Sequence, residues 1–266
     1  MSVISIFHVV ISAILGASLG SFFNVVAHRS VKGRPWWGKE RSVCESCGKE
    51  LTIIELIPLA SWLAQGGRCR SCKARISPRY IVVELLGAVG AALVAWRWGM
   101  SWAYLLSMVG CFGLLLNALT DHESGEVFDL FSLAMGVCGL AVRLFGGLEA
   151  FADGLAGAAV GGGLFAFIIL VSRGGMGWGD VSFMAGFGAV LGWKMTLFAF
   201  YAGIMAGGVG IAYLMLRGKV KWGRKDTVPL VPYLAVGGLI TFLYGPQVIQ
   251  YIGARYHMIF QPGWPW

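Results

Sequence analysis

Charge is scarce in this chain. Of its 266 residues only 13% are Asp, Glu, Lys or Arg, about half the share a soluble domain of this length carries, so the bulk solvent for most of the chain is lipid. Histidine is scarcer still, with four residues and no H-E-x-x-H pair, which speaks against a metalloprotease. No Ser-His-Asp or Cys-His arrangement offers a covalent nucleophile, and no Gly-rich strand-turn-helix pattern offers a nucleotide cradle. No basic residue precedes the first apolar run and no obvious small-residue cleavage site follows it, so that run reads as a retained helix rather than a secretory signal.

What is abundant is apolar sequence, 57% of residues, arranged in long blocks rather than alternating with polar positions. A hydrocarbon core about 30 Å thick takes roughly 20 helical residues to cross. Blocks of that kind fall near residues 3–27, 80–98, 101–120, 128–146, 151–171, 181–194, 195–216 and 230–252. Most of the 40 glycines lie inside these blocks, where they let helix backbones approach closely. The expected fold is all-α: a polytopic membrane protein with about eight transmembrane helices. It divides into a first helix (1–28), a polar loop domain (29–79) and a seven-helix core (80–266).

The net charge of +8 is informative through its distribution. Eleven of the 21 basic residues lie in 29–79, and five more lie between Arg217 and Lys225. With the N-terminus outside and eight alternating spans, these loops and Arg173 become cytosolic, and only Arg97, Arg143, Lys194 and Arg255 are left outside. The clusters therefore read as topology signals and contacts with anionic lipid. No nucleic-acid-binding motif accompanies them, so no nucleic acid is expected as a partner.

The polar loop carries Cys44-Glu-Ser-Cys47 and, 21 residues later, Cys69-Arg-Ser-Cys72. Two thiolates in one tight turn grip half of a tetrahedral metal site, and a second turn completes it, which matches structural Zn²⁺. A cytosolic placement disfavours two disulfides, and the lack of a thioredoxin-like βαβ pattern disfavours a redox pair. Four thiolates leave no open coordination position, so this metal organises the loop. Cys111 and Cys138 lie inside apolar blocks as packing residues.

Acidic residues near membrane depth need a reason, because an unpaired charge there costs ~2.5–3.5 kcal/mol on the mildest scale. Asp121 follows Leu114-Leu-Leu-Asn-Ala-Leu-Thr120 at the end of the third helix, and Asp180 closes Gly174-Gly-Met-Gly-Trp-Gly-Asp180 and opens the sixth. Both reach the same membrane boundary. Two facing carboxylates can share a proton, one acting as base toward water while the other protonates a carbonyl, which is aspartic-peptidase chemistry. Gly177 and Gly179 would clear space for an extended substrate backbone. Taken singly, Asp180 also reads as a helix N-cap and Asp121 as a solvated helix end. His122 reads as a solvated loop residue. Glu84 has no basic residue at helical spacing, which leaves pairing across helices or protonation.

Taken together these segments resemble the bacterial type IV prepilin peptidases, also called leader peptidases and N-methyltransferases. Gly20-Ser-Phe-Phe-Asn-Val-Val-Ala-His-Arg29 is similar to the family's opening signature. Glu55-Leu-Ile-Pro-Leu-Ala-Ser-Trp62 is similar to the segment between its CxxC pairs, and Ile76-Ser-Pro-Arg-Tyr-Ile-Val-Val-Glu84 to the start of its second helix. Thr120-Asp121 stands at its first catalytic aspartate, and Met176-Gly-Trp-Gly-Asp180 at its G-x-G-D motif. The resemblance implies Asp121 and Asp180 as the catalytic pair, with Cys44, Cys47, Cys69 and Cys72 as zinc ligands. It also implies cleavage of the basic leader of a prepilin or pseudopilin at the cytosolic face of the bacterial inner membrane. Methylation of the new N-terminus from S-adenosylmethionine then follows. Two departures stand out: Val127-Phe-Asp129 where the family commonly has Leu-Pro-Asp, and Ser182 where it commonly has Lys. Two rival classes remain at this stage. A proton- or cation-relay transporter would show an internal repeat, which is absent, and a non-catalytic pilus or secretion scaffold would tolerate loss of both aspartates.

Overall fold

Long apolar stretches in which Gly and Ala outnumber β-branched residues at contact positions favour helices that pack backbone to backbone. The computed structural model describes residues 3–37, 41–172, 177–218, 229–255 and 265–266. Arg173 with Gly174, Gly175 and Met176, and the basic residues Lys219 to Lys225, lie outside the described residues. Among the described residues the helices are α1 (Val3–Val31), α2 (Ala60–Ala64), α3 (Pro78–Trp98), α4 (Trp102–Ser124), α5 (Asp129–Leu144), α6 (Leu148–Ser172), α7 (Trp178–Leu191), α8 (Trp193–Leu216) and α9 (Val231–Arg255). No strand accompanies them, only two isolated bridges.

Every expected apolar block is a helix. Six of them, α1, α3, α4, α6, α8 and α9, are long and apolar enough to cross a membrane. The expected count of eight goes beyond these six. The 16 residues of α5 and the 14 of α7 rise only about 24 and 21 Å at 1.5 Å per residue. The outward faces are apolar, as lipid requires: on α1 alone Ile4, Phe7 and Ile14 are 74%, 65% and 63% exposed.

The chain forms two compact units, residues 1–96 and 97–266. In the first, α1 and α3 pack antiparallel. A Cβ on Gly16 would run into the Gly87 carbonyl, and one on Gly20 would lie 2.8 Å from the Val83 carbonyl oxygen. Between these helices the loop folds into two matching knuckles. Cys44 N–H donates to Lys49 O at 2.9 Å and Cys69 N–H to Ala74 O at 2.9 Å, and the residue after each second cysteine, Gly48 or Lys73, takes positive φ (69° and 60°).

In the second unit α7 is the centre. It packs against α5 and α6 through Gly136, Gly186, Gly157 and Gly188; a Cβ on any of the last three would run into opposing backbone oxygen, and one on Gly136 would lie 3.0 Å from Gly186 Cα. Phe183 and Phe187 of α7, with Phe242 of α9 and Leu106 of α4, are fully buried in the core. α7 stops at Leu191 because Gly192 adopts φ +78°, a conformation that ends a helix.

Candidate functional site

Asp121 lies in the last turn of α4 and is 5% exposed. Its Oδ2 accepts the N–H of Val231, the first residue of α9, at 2.8 Å. It is thus no solvated helix end. The turn around it is fixed from both sides: Gly125, at φ +70°, donates its N–H to the Asp121 carbonyl at 2.8 Å. One turn earlier, on the same face, Asn117 is fully buried, accepting from the Ser132 hydroxyl at 3.0 Å and donating to Gly113 O at 2.9 Å. That support was not singled out from sequence, although a lone Asn four residues before an Asp in an apolar run was a visible signal.

Asp180 is the third residue of α7 and half-buried. The N-cap of that helix is Gly177, with extended backbone, so Asp180 is not the cap. Its own N–H bonds to Gly177 O at 3.2 Å. The helices that carry them, α4 and α7, pack against each other, and Asp121 lies near enough to Asp180 for its charge to be felt there. The two acids that the sequence placed on separate helices are thus electrostatic neighbours.

The two glycines before Asp180 differ in their reasons. A Cβ on Gly179 would sit 2.8 Å from the Val127 carbonyl oxygen, so Gly179 is required by packing of α7 on the segment after α4. A Cβ on Gly177 would lie 3.8 Å from Asp180 Oδ2, an ordinary contact, with no closer atom among the described residues. Phe128, one of the two departures, caps α5 with its carbonyl and packs its ring 5.7 Å from Phe131. Nothing in the structure explains Ser182.

At the other end of α7 stands a group whose role the charge pattern concealed. Arg143 reads in sequence as an outside basic residue, yet it is fully buried. Its Nε and Nη2 donate to Val190 O, both at 3.1 Å, and its Nη1 donates to Ala150 O at 3.1 Å and to Asp153 Oδ2 at 2.9 Å. It satisfies the Val190 carbonyl at the C-terminal end of α7, where a cation is favoured by the helix dipole, and ties it to Ala150 in the first turn of α6.

The four loop cysteines are free thiols whose sulfurs all lie within 4.8 Å of one another. Cys44 Sγ and Cys72 Sγ are 3.9 Å apart, close to the roughly 3.8 Å edge of a tetrahedron with 2.3 Å Zn–S bonds. The backbone N–H groups of Cys72 and Ser71, pointing at Cys69 Sγ, hold its thiol down at about 6, so a thiolate is ready for a cation at neutral pH. This cluster can hold a metal ion. Cys111 and Cys138 stand apart from it; Cys111 packs against the core as expected, whereas Cys138 is exposed. Glu84, whose pairing the sequence left open, is buried, and its Oε2 accepts the Leu59 N–H at 2.7 Å.

With that geometry in view, comparison with known proteins is informative. Residues 14–98 match the profile of the bacterial peptidase A24 N-terminal domain, and residues 108–212 match that of the type IV leader peptidase family. A prepilin leader peptidase/N-methyltransferase of Pseudomonas aeruginosa is 33% identical over 270 residues, covering 91% of this chain and 92% of its own. Proteins of the same name from Bacillus subtilis, 32% identical over 90% of this chain and 95% of that one, and from Aeromonas hydrophila, 31% identical over 88% and 89%, align almost as fully. No solved structure matches. Two profiles in the expected order, together with relatives aligned nearly end to end, establish that the chain belongs to the type IV leader peptidase family.

Proposed function

We propose that this chain is a membrane aspartic endopeptidase that removes the basic leader of type IV prepilins or pseudopilins, and then methylates the new N-terminus from S-adenosylmethionine. The observation that carries the reading is the convergence of Asp121 and Asp180, from α4 and α7, within reach of each other's charge. Two acids so placed resist ionising together and are suited to hold one proton between them.

In hydrolysis, the ionised carboxylate takes a proton from the attacking water as its oxygen bonds the scissile carbonyl carbon. The protonated partner donates to the carbonyl oxygen. Collapse of the tetrahedral species breaks the C–N bond, and a proton from the dyad leaves with the amine. No covalent enzyme intermediate forms. Gly179 holds the first turn of α7 against Val127. The Val231 N–H holds the Asp121 carboxylate in place, and Asn117, one turn earlier, ties α4 to α5 through Ser132. The apolar helix of the substrate docks among the spans while its leader stays in water.

The cysteine cluster takes Zn²⁺ and shapes the loop domain of residues 29–79, between the first helix (1–28) and the catalytic core (80–266). The density of basic residues in that loop supports its placement, with the dyad, on the cytosolic side of an inner membrane. Mass spectrometry of a co-expressed prepilin reports leader removal and N-terminal methylation in one spectrum. The expected product is a shortened chain that carries one added methyl group, and an intact leader contradicts this reading.

A further inference from the structure

Asn24 is buried, at 2% exposure, and neither its Oδ1 nor its Nδ2 has a hydrogen-bond partner among the described residues. An amide buried in that state is costly, and each such group calls for an explanation. Its position is set by α1. Gly16 and Gly20 press against α3 at Gly87 and Val83, and a Cβ on Gly20 would lie 3.1 Å from Glu84 Cα. Asn24 continues that face by one turn, because residues four apart stack on a helix. Asn24 therefore faces the first turns of α3.

Glu84 sits on the same α1–α3 seam, 7% exposed. Its Oε2 holds the N–H of Leu59, a non-glycine residue at φ +62°, which ties the loop to α3. A carboxylate offers about four acceptor positions, so one backbone N–H leaves it with acceptor capacity. Within the first unit, the α1–α3 seam thus carries a buried carboxylate and, about one helical turn along α1 from it, an unpartnered amide that can both accept and donate.

We propose that Asn24 and Glu84 form a subsite for an α-ammonium group and the carbonyl oxygen next to it. Glu84 and Asn24 Oδ1 accept from the ammonium, and Asn24 Nδ2 donates to the oxygen. The charge of Glu84 favours a cation over a neutral guest, since a buried carboxylate is strongly stabilised by an opposite charge with hydrogen bonds. Under the methyltransferase reading, on which this inference rests, two molecules carry that chemistry: the freshly cut N-terminus of the pilin, and the amino-acid end of the methyl donor.

The test uses full-length protein in detergent, as wild type, Asn24→Leu and Glu84→Gln. The glutamine keeps an acceptor for the Leu59 N–H. Calorimetry measures Kd for S-adenosylhomocysteine and for a mature-pilin N-terminal peptide with a free or an acetylated amine, and leader cleavage reports the fold. Both variants should cleave within about twofold of wild type and bind one of the two ligands at least tenfold more weakly. If the peptide is the guest, acetylation weakens wild-type binding by the same factor and leaves the variants unchanged. If the donor is the guest, only S-adenosylhomocysteine loses affinity. Unchanged affinity for both ligands, which would mean a water occupies the site, overturns the proposal. So does weakened binding of both alike, or loss of cleavage along with binding. Wild-type protein that binds selectively but transfers no methyl group would remove the methylation reading while leaving the subsite intact.

Discussion

Replacing Arg143 with Met should destabilise the second unit far more than any surface charge change. The arginine side chain is 0% exposed and makes four hydrogen bonds, one of them an ion pair with Asp153 at 2.9 Å. Methionine fills much of the volume but strips the partners from the Val190 and Ala150 carbonyls and leaves Asp153 without its cation. Removing one member of a buried pair costs ~3–5 kcal/mol. Asp153, at 18% side-chain exposure, can recover some hydration, so the lower half of that range is expected. Asp153→Asn alone should cost less, because the guanidinium keeps its carbonyls. The double variant should lie well short of the sum, as residues in one network couple by ~0.5–3 kcal/mol. Denaturant titration of purified protein in mixed micelles, followed by far-UV circular dichroism, supplies the values. A loss below about 1 kcal/mol for Arg143→Met, or strict additivity in the double variant, would refute the reasoning.

Three further outcomes follow from the geometry. Gly179→Ala forces a Cβ to 2.8 Å from a backbone oxygen, which cannot rotate away. Its cleavage rate should therefore fall at least tenfold, as judged by kcat on a purified prepilin. Metal analysis of intact protein should give one zinc per chain, and chelation or Cys44→Ser should first increase hydrogen exchange at the knuckle amides of Cys44, Gly48, Cys69 and Lys73. Glu55 accepts from the Thr52 N–H at 3.0 Å and hydroxyl at 2.9 Å, and these bonds hold its carboxyl below the ordinary 4.5. Folding then stabilises the ionised form. The contact is fully present above pH 4.5 and lost as pH falls through the lowered value. Glu55→Gln should remove that acid sensitivity from exchange rates at residues 52–56, corrected for intrinsic pH dependence.

The helices were legible because lipid imposes one dominant rule: an apolar stretch of sufficient length must satisfy its backbone internally, and a helix does so. The four cysteines were legible because tetrahedral thiolate ligation leaves a fixed spacing. Asp121 and Asp180 were legible as polar residues at the ends of apolar runs. What was hidden is what depends on pairing in space. Arg143 reads as one more outside charge, and only the packing of α5 on α6 and α7 reveals it as a buried tie. The burial of Asp121 depends on α9, which is more than 100 residues away in sequence. The lengths of α5 and α7 depend on caps at Phe128 and Gly192 that hydropathy does not register.

The central claim is that Asp121 and Asp180 act as one hydrolytic unit, and leader cleavage by purified Asp121→Asn and Asp180→Asn tests it most directly. Asparagine at 121 can still accept the Val231 N–H, so the fold should survive. Each variant should lose cleavage by a factor of about 100 to 10,000 while it stays monodisperse and keeps its metal. Wild-type processing rates in either variant would contradict the account.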